Sequence, residues 1–197
     1  MNYSVFYSDL TRALSLRSTS GISDKSSIIR SFEATDFREA IDMAEEIWSE
    51  ISQTGRISVL LVDILEEPYF TSVRNNLYEY RRIVQGNIEI VSCPDLENID
   101  IICNDEGKMM KLPLNRSLTD NHEVYDVVAG TMILATGNSE GETIGLDADA
   151  LYKGYEWFRL PQLFILNDEE GEVEILDCSI EMARIMKVNL SPNISLK

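Results

Sequence analysis

The sequence predicts an α+β protein built from an N-terminal β-β-α-β lobe, a central small curved antiparallel sheet or partial barrel, and a C-terminal β-hairpin followed by a helix. Three observations lead there. A strongly amphipathic helix stands among strand-length apolar runs in residues 1–70, and residues 88–136 hold short apolar runs divided by turn residues. Near the end, two runs of strand length flank an acidic, glycine-containing turn. The expected organisation is a lobe over residues 1–70, a β-rich domain with flanking helices over 71–160, and a hairpin and helix over 161–197 packed on the rest.

Tyr3, Val5 and Tyr7 alternate with Ser4, Phe6 and Ser8, which suits a strand. Residues 18–27, rich in serine, read as a loop, and residues 28–32 as a second strand. Phe37, Ala40, Ile41, Ala44, Ile47, Trp48 and Ile51 then recur at helical spacing. Asp36 and Glu39 fit a capping box at the start of that helix, and Gly55 supplies its stop. Residues 57–64 (ISVLLVDI) form a nearly continuous apolar run of strand length, which suggests a strand buried on both faces or in mid-sheet. After Pro68, residues 73–84 predict a helix ended by Gly86.

The central strand candidates are residues 88–91, 99–103, 108–112 and 127–136, with hairpin-turn chemistry at residues 104–107 and a loop at 137–141. Asp147 or Asp149 can cap a helix carrying Leu151, Tyr155 and Phe158. Residues 163–166 and 172–176 form the terminal hairpin, a helix covers 180–187, and the tail from Asn189 reads as frayed.

Thirty-four carboxylates against seventeen Lys and Arg leave a formal charge of −17. The excess is lopsided: residues 1–86 carry 13 acids and 9 bases, residues 87–197 carry 21 and 8. Such a field repels nucleic acid and anionic membranes and attracts proteins with basic sites. A 44% hydrophobic content supports a real core, so the acids sit on folded elements rather than in a disordered tail. No stretch approaches the roughly 18 to 20 apolar residues needed to span a bilayer, and the N-terminus lacks a basic segment followed by an apolar run. A soluble, cytoplasmic protein is expected. Cys93, Cys103 and Cys178 are odd in number with no CxxC spacing, which points to buried free thiols.

Chemistry finds little footing. His122 is the sole histidine, and no cysteine has a neighbour at zinc-ligand spacing, so neither metal nor cofactor is expected. Setting Gly107, Gly141 or Gly171 at the glycine of a calcium loop puts Ile102, Thr136 or Leu166 at the first ligand position, and all three fail. Gly130, Gly137, Gly141 and Gly145 match no phosphate-binding loop, and no nucleophile elbow occurs. The expectation is a protein that is not an enzyme.

The acidic surfaces carry the functional lead. Glu39, Asp42, Glu46 and Glu50 lie opposite the apolar stripe of the first helix. Glu140 and Glu142 flank a glycine turn, and Asp168, Glu169, Glu170, Glu172 and Glu174 crowd the terminal hairpin. Glu172 and Glu174 alternate with Val173 and Ile175, so both leave one face of the strand. Crowded like charges cost stability, and a basic partner relieves that cost; a solvated or aggregation-blocking surface is the alternative use of the same residues.

GNIEIVSCPD, NDEGKMMKLPLNRSL and VYDVVAGTMILATGN follow one another with residues 88–91, Glu106-Gly107-Lys108, residues 112–116, Tyr125-Asp126 and Ala129-Gly130-Thr131 as the distinctive positions. In that order and spacing, residues 77–158 resemble a domain-of-unknown-function family recurrent in phages and conjugative plasmids. The resemblance implies a mobile-element setting in a bacterial host and brings no catalytic residues with it. Arg116, an isolated base in that motif, either grips a phosphate or partner carboxylate or, as favoured, pairs with an acid such as Asp126 to hold a turn.

Charge and resemblance together suggest a non-catalytic inhibitor of a host defence nuclease, a CRISPR effector or restriction enzyme, that occupies its basic nucleic-acid-binding surface. The alternative is a phage or plasmid module that binds a protein or small ligand through the curved sheet, its acidity serving solubility.

Overall fold

The computed structural model describes residues 1–8, 13–18, 28–49, 55–167 and 172–190. The architecture is α+β, with a single antiparallel sheet as its frame. Strands β1 (Asn2–Ser8), β2 (Ala13–Ser18) and β3 (Ile28–Glu33) precede α1 (Phe37–Ser49), followed by β4 (Arg56–Val62), β5 (Tyr69–Arg74) and α2 (Leu77–Val84). Next come β6 (Ile88–Ser92), β7 (Asp100–Asn104), β8 (Leu114–Asp120), β9 (Glu123–Ala129), β10 (Met132–Gly137), β11 (Thr143–Ile144) and α3 (Ala148–Phe158). The chain ends in β12 (Gln162–Asn167), β13 (Glu172–Asp177) and α4 (Ile180–Leu190).

The sheet runs β3-β1-β2-β5-β4-β10-β7-β6, with β11 beside β10. It ends at β3 and β6 without closing into a barrel among the described residues. The expected boundary at residue 70 falls inside β5, and the β4–β10 pairing puts strands from both sides of it in one sheet.

The sheet is covered on both faces, which explains the unbroken apolar run in β4. Leu60 and Val62 face a core made with Phe37, Ile41 and Ile47 of α1 and Leu151 and Phe158 of α3. Val59 and Leu61 face the other way, onto Tyr80 and Val84 of α2. In β10, Met132 and Leu134 join the first core and Ile133 and Ala135 the second. Strands of this kind need apolar residues at every position, because neither face meets water. The rings of Phe37 and Tyr155 stack at 3.8 Å between α1 and α3, and the Tyr155 hydroxyl donates to Glu67.

Capping chemistry acts as the sequence predicts, with one variation. The Glu39 amide donates to Asp36 Oδ1 at 2.9 Å, while the Glu39 carboxylate reaches one residue further back and accepts from the Thr35 amide at 2.7 Å. Asp147 caps α3 by accepting from the Ala150 amide at 2.8 Å.

Several elements differ from expectation. The structure adds β2, whose Leu16 pairs with Val5 on one side and Phe70 on the other; only short alternation in a Ser- and Arg-rich segment announced it. The helix expected from residue 73 begins at Leu77, because β5 continues to Arg74 and Asn76 accepts from the Glu79 amide at 2.9 Å. Gln85, at φ 62°, takes the left-handed position that closes α2. Gly86 serves a different need: a Cβ there would lie 2.4 Å from Asn104 Nδ2.

Residues 108–112 form turns, not a strand, closed by Met110 N–H to Glu106 O at 2.8 Å and Leu112 N–H to Gly107 O at 2.9 Å. The run 127–136 is broken at Gly130, φ 87°, into the end of β9 and all of β10. α4 continues one turn past Lys187.

The terminal hairpin docks on β8, where Gln162 Oε1 accepts from the Ser117 amide at 2.7 Å and its hydroxyl at 3.0 Å. Of the expected loop over residues 18–27, turn over 167–171 and frayed tail from Asn189, residues 19–27, 168–171 and 191–197 lie outside the described residues, while Ser18 ends β2, Asn167 ends β12, and Asn189 and Leu190 are helical in α4 rather than frayed.

Candidate functional site

Phe37, Ala40, Ile41, Ala44 and Ile47 of α1 are buried against the sheet, which turns Glu39, Asp42 and Glu46 outward as the sequence predicts. Glu50 lies outside the described residues. Packing of α1 beside α3 extends the stripe into a two-helix surface, since Asp147 and Asp149 of the α3 start come alongside. Arg38 of α1 forms an ion pair with Asp149 across the seam. Glu45, not singled out by its spacing, belongs to the same surface. Partial desolvation, then Asp42, then Asp147 push its carboxyl above the ordinary glutamate range. Glu39 moves the other way, because hydrogen bonds from the Thr35 amide and hydroxyl favour its ionised form.

Glu140 and Glu142 are exposed on the β10–β11 turn, apart from the helical surface. Asn138 Oδ1 organises that turn, accepting from the Glu140 and Glu142 amides at 2.9 Å each. Of the terminal acids, Asp168, Glu169 and Glu170 lie outside the described residues. Glu172 and Glu174 both fall in β13, paired with Asn167 and Ile165 of β12, and Glu174 is exposed. The sequence-predicted acids therefore belong to separate elements rather than to one patch.

His122 sits in the β8–β9 turn in a left-handed conformation, and its amide donates to Asp95 Oδ2 at 3.1 Å. Asp95 also accepts from Thr119 Oγ1 at 2.7 Å and from the Asn121 amide at 3.1 Å, so one carboxylate ties the turn together. Among the described residues, no group of three or more His, Cys, Asp or Glu could hold a metal ion. All three cysteines are free and buried.

Arg116 is 1% exposed and has a structural role, though not through Asp126. Its Nε donates to Phe158 O at 3.1 Å, Nη2 to Glu66 O at 2.8 Å, and Nη1 to Asn115 O and Oδ1 at 3.1 and 2.9 Å. Asn115 Nδ2 in turn donates to Val62 O and Gly130 O at 2.8 Å each. The two side chains thus tie β4, α3 and the β9–β10 break to β8. Burial pulls the Arg116 pKa down to about 10, which leaves it charged at neutral pH. Asp126 pairs instead with Lys108.

The segments 88–91, 106–108 and 125–129 converge on a cleft of about 190 Å³ between the β6–β7 edge and the β8–β9 hairpin. Its floor is apolar, with Leu118 and Val128 buried, and its rim carries Glu89, Asp105, Asp126 and Lys108. Cys103 lies in the wall, where burial pushes its thiol up to about 11, with Glu89 and Asp126 adding to the shift and Lys108 opposing it. Spacing alone could not reveal this site, because its residues come from strands and turns that only pairing brings together.

The fold and its buried Arg116–Asn115 network define an α+β domain whose central strands are tied together by side-chain-to-backbone bonds. The chain belongs to the DUF3846 family, a domain of unknown function, whose model matches residues 57–158. The match runs from β4 through the last residue of α3, taking in the cleft and the Arg116 network and leaving α1 and the terminal hairpin outside. Neither a curated protein nor a solved structure matches the chain. Among the described residues, no helix is long and apolar enough to cross a membrane.

Proposed function

We propose that this chain is a non-catalytic acidic protein of a phage or other mobile element, acting in the cytoplasm of a bacterial host. It inhibits a host defence nuclease, a CRISPR effector or restriction enzyme, by covering that enzyme's basic nucleic-acid-binding surface. The observation that carries this reading is the gathering of carboxylates where α1 meets α3, with Asp147 and Asp149 coming alongside Asp42 and Glu45; burial first, then Asp42 and Asp147, raises the Glu45 carboxyl pKa. Repulsion among fixed acids is relieved when cations replace water beside them, so the surface gains more from a basic partner than dispersed charges would. Nucleic acid is not a partner in this reading, because the −17 charge opposes it.

The test is inhibition of purified CRISPR effectors and restriction enzymes, with binding followed over a salt series. Affinity should fall steeply as ionic strength rises, and the E39K/D42K/E46K variant should lose inhibition. Unchanged inhibition by that variant would remove the α1–α3 surface from the mechanism.

The 190 Å³ cleft favours a second reading, a module that binds a protein or small ligand while its acidity serves solubility. Salt-independent binding localised to the cleft would select it.

A further inference from the structure

We infer that the cleft between the β6–β7 edge and the β8–β9 hairpin is a receptor for a single basic side chain, lysine or arginine, presented by a partner protein. The proposal deepens the reading of a basic partner by supplying an anchoring point away from the α1–α3 surface.

Size comes first. About 190 Å³ is below the roughly 300 to 1,000 Å³ of ordinary small-molecule sites, and suits one long side chain better than a cofactor or nucleotide. The lining supplies the second argument. Leu118 and Val128 make an apolar floor, as the methylene stem of lysine or arginine requires, and charges stand only at the rim.

The sign of the rim is the third. Glu89, Asp105 and Asp126 face one lysine, and Lys108 is already paired with Asp126. Glu89 and Asp105 have no ion-pair partner among the described residues, so the cleft has two carboxylates to offer an incoming cation. An anionic ligand would meet those carboxylates with no uncommitted base to receive it.

Met109, 81% exposed at the rim, adds an adaptable surface. Its thioether can close over an aliphatic stem of either length, as methionines do where a surface accepts more than one partner.

The experiment uses the full chain, isotope-labelled for NMR, titrated with the blocked peptide Ac-Ala-Val-Arg-Val-Ala-NH2, its lysine counterpart, and a citrulline counterpart that keeps the shape without the charge. Saturable shifts at the amides of Glu89, Cys103, Asp126 and Val128 are expected with the arginine and lysine peptides. Citrulline should bind about tenfold more weakly, the scale of a lost charge-assisted bond. The exposed pair of substitutions E89Q and D105N should remove most of that difference without unfolding the chain. Equal affinity for arginine and citrulline, or shifts confined to α1 and α3, would overturn the proposal. The E39K/D42K/E46K variant should keep the arginine-to-citrulline ratio, so failure of the cleft and failure of the α1–α3 surface give different results.

Discussion

A buried guanidinium without a carboxylate partner is stable only where carbonyl oxygens replace its water, and Arg116 meets that condition with Phe158, Glu66 and Asn115. Arg116→Ala should therefore cost about 3 kcal/mol or more, since it empties a buried volume and leaves three carbonyls without their donor. Arg116→Lys keeps the charge yet cannot span carbonyls from three elements, and should recover less than half of the loss. Urea unfolding of the three proteins checks both. A result near wild type for either would mean that the carbonyls find other donors. The motif around Arg116 is visible in the sequence, and a structural rather than a ligand-gripping Arg116 agrees with its burial, but its expected pairing with Asp126 does not form. Asp126 lies in the strand opposite and pairs with Lys108, and the carbonyl acceptors carry no sequence signal.

Elements with local causes were legible. The amphipathic spacing of α1, its Asp36 cap and the Asp147 cap of α3 depend on residues within one helical turn, so the sequence carries the whole instruction. Elements whose burial is decided elsewhere were not. β8 holds the buried polar residues Asn115, Arg116 and Ser117, and polarity of that kind argues against a strand until its tertiary acceptors are known. The break at Gly130 separates two strands that one apolar run appeared to join into one. A Cβ there would meet Leu112 Cδ1 at 2.9 Å, and φ is 87°. Gly130→Ala should destabilise by about 1 to 2 kcal/mol through left-handed strain, the Leu112 side chain shifting to relieve the contact. Thermal and urea unfolding read the loss; a neutral substitution would show that the β9–β10 corner can relax.

Charge is a property of the whole molecule. A net −17 on 197 residues opposes compactness through self-repulsion, which salt screens over a Debye length of about 10 Å at 0.1 M. The melting temperature should rise by several degrees from low to moderate sodium chloride, over the same range in which binding to a basic partner weakens. A flat melting temperature would mean that the acids are too dispersed to repel one another. Composition by itself determined the sign and size of this field, the presence of a core and the α+β class, because each follows from residue counts and short-range periodicity. Only the tertiary structure decided which acids share a surface. It set Glu45 beside Asp147 while sending Glu140 and Glu142 to a separate turn, and it drew Glu89, Asp105, Lys108 and Asp126 around one cleft. The reason is physical: strand pairing and helix packing bring together residues far apart in the chain, and the field at any point depends on distance in space rather than along the sequence.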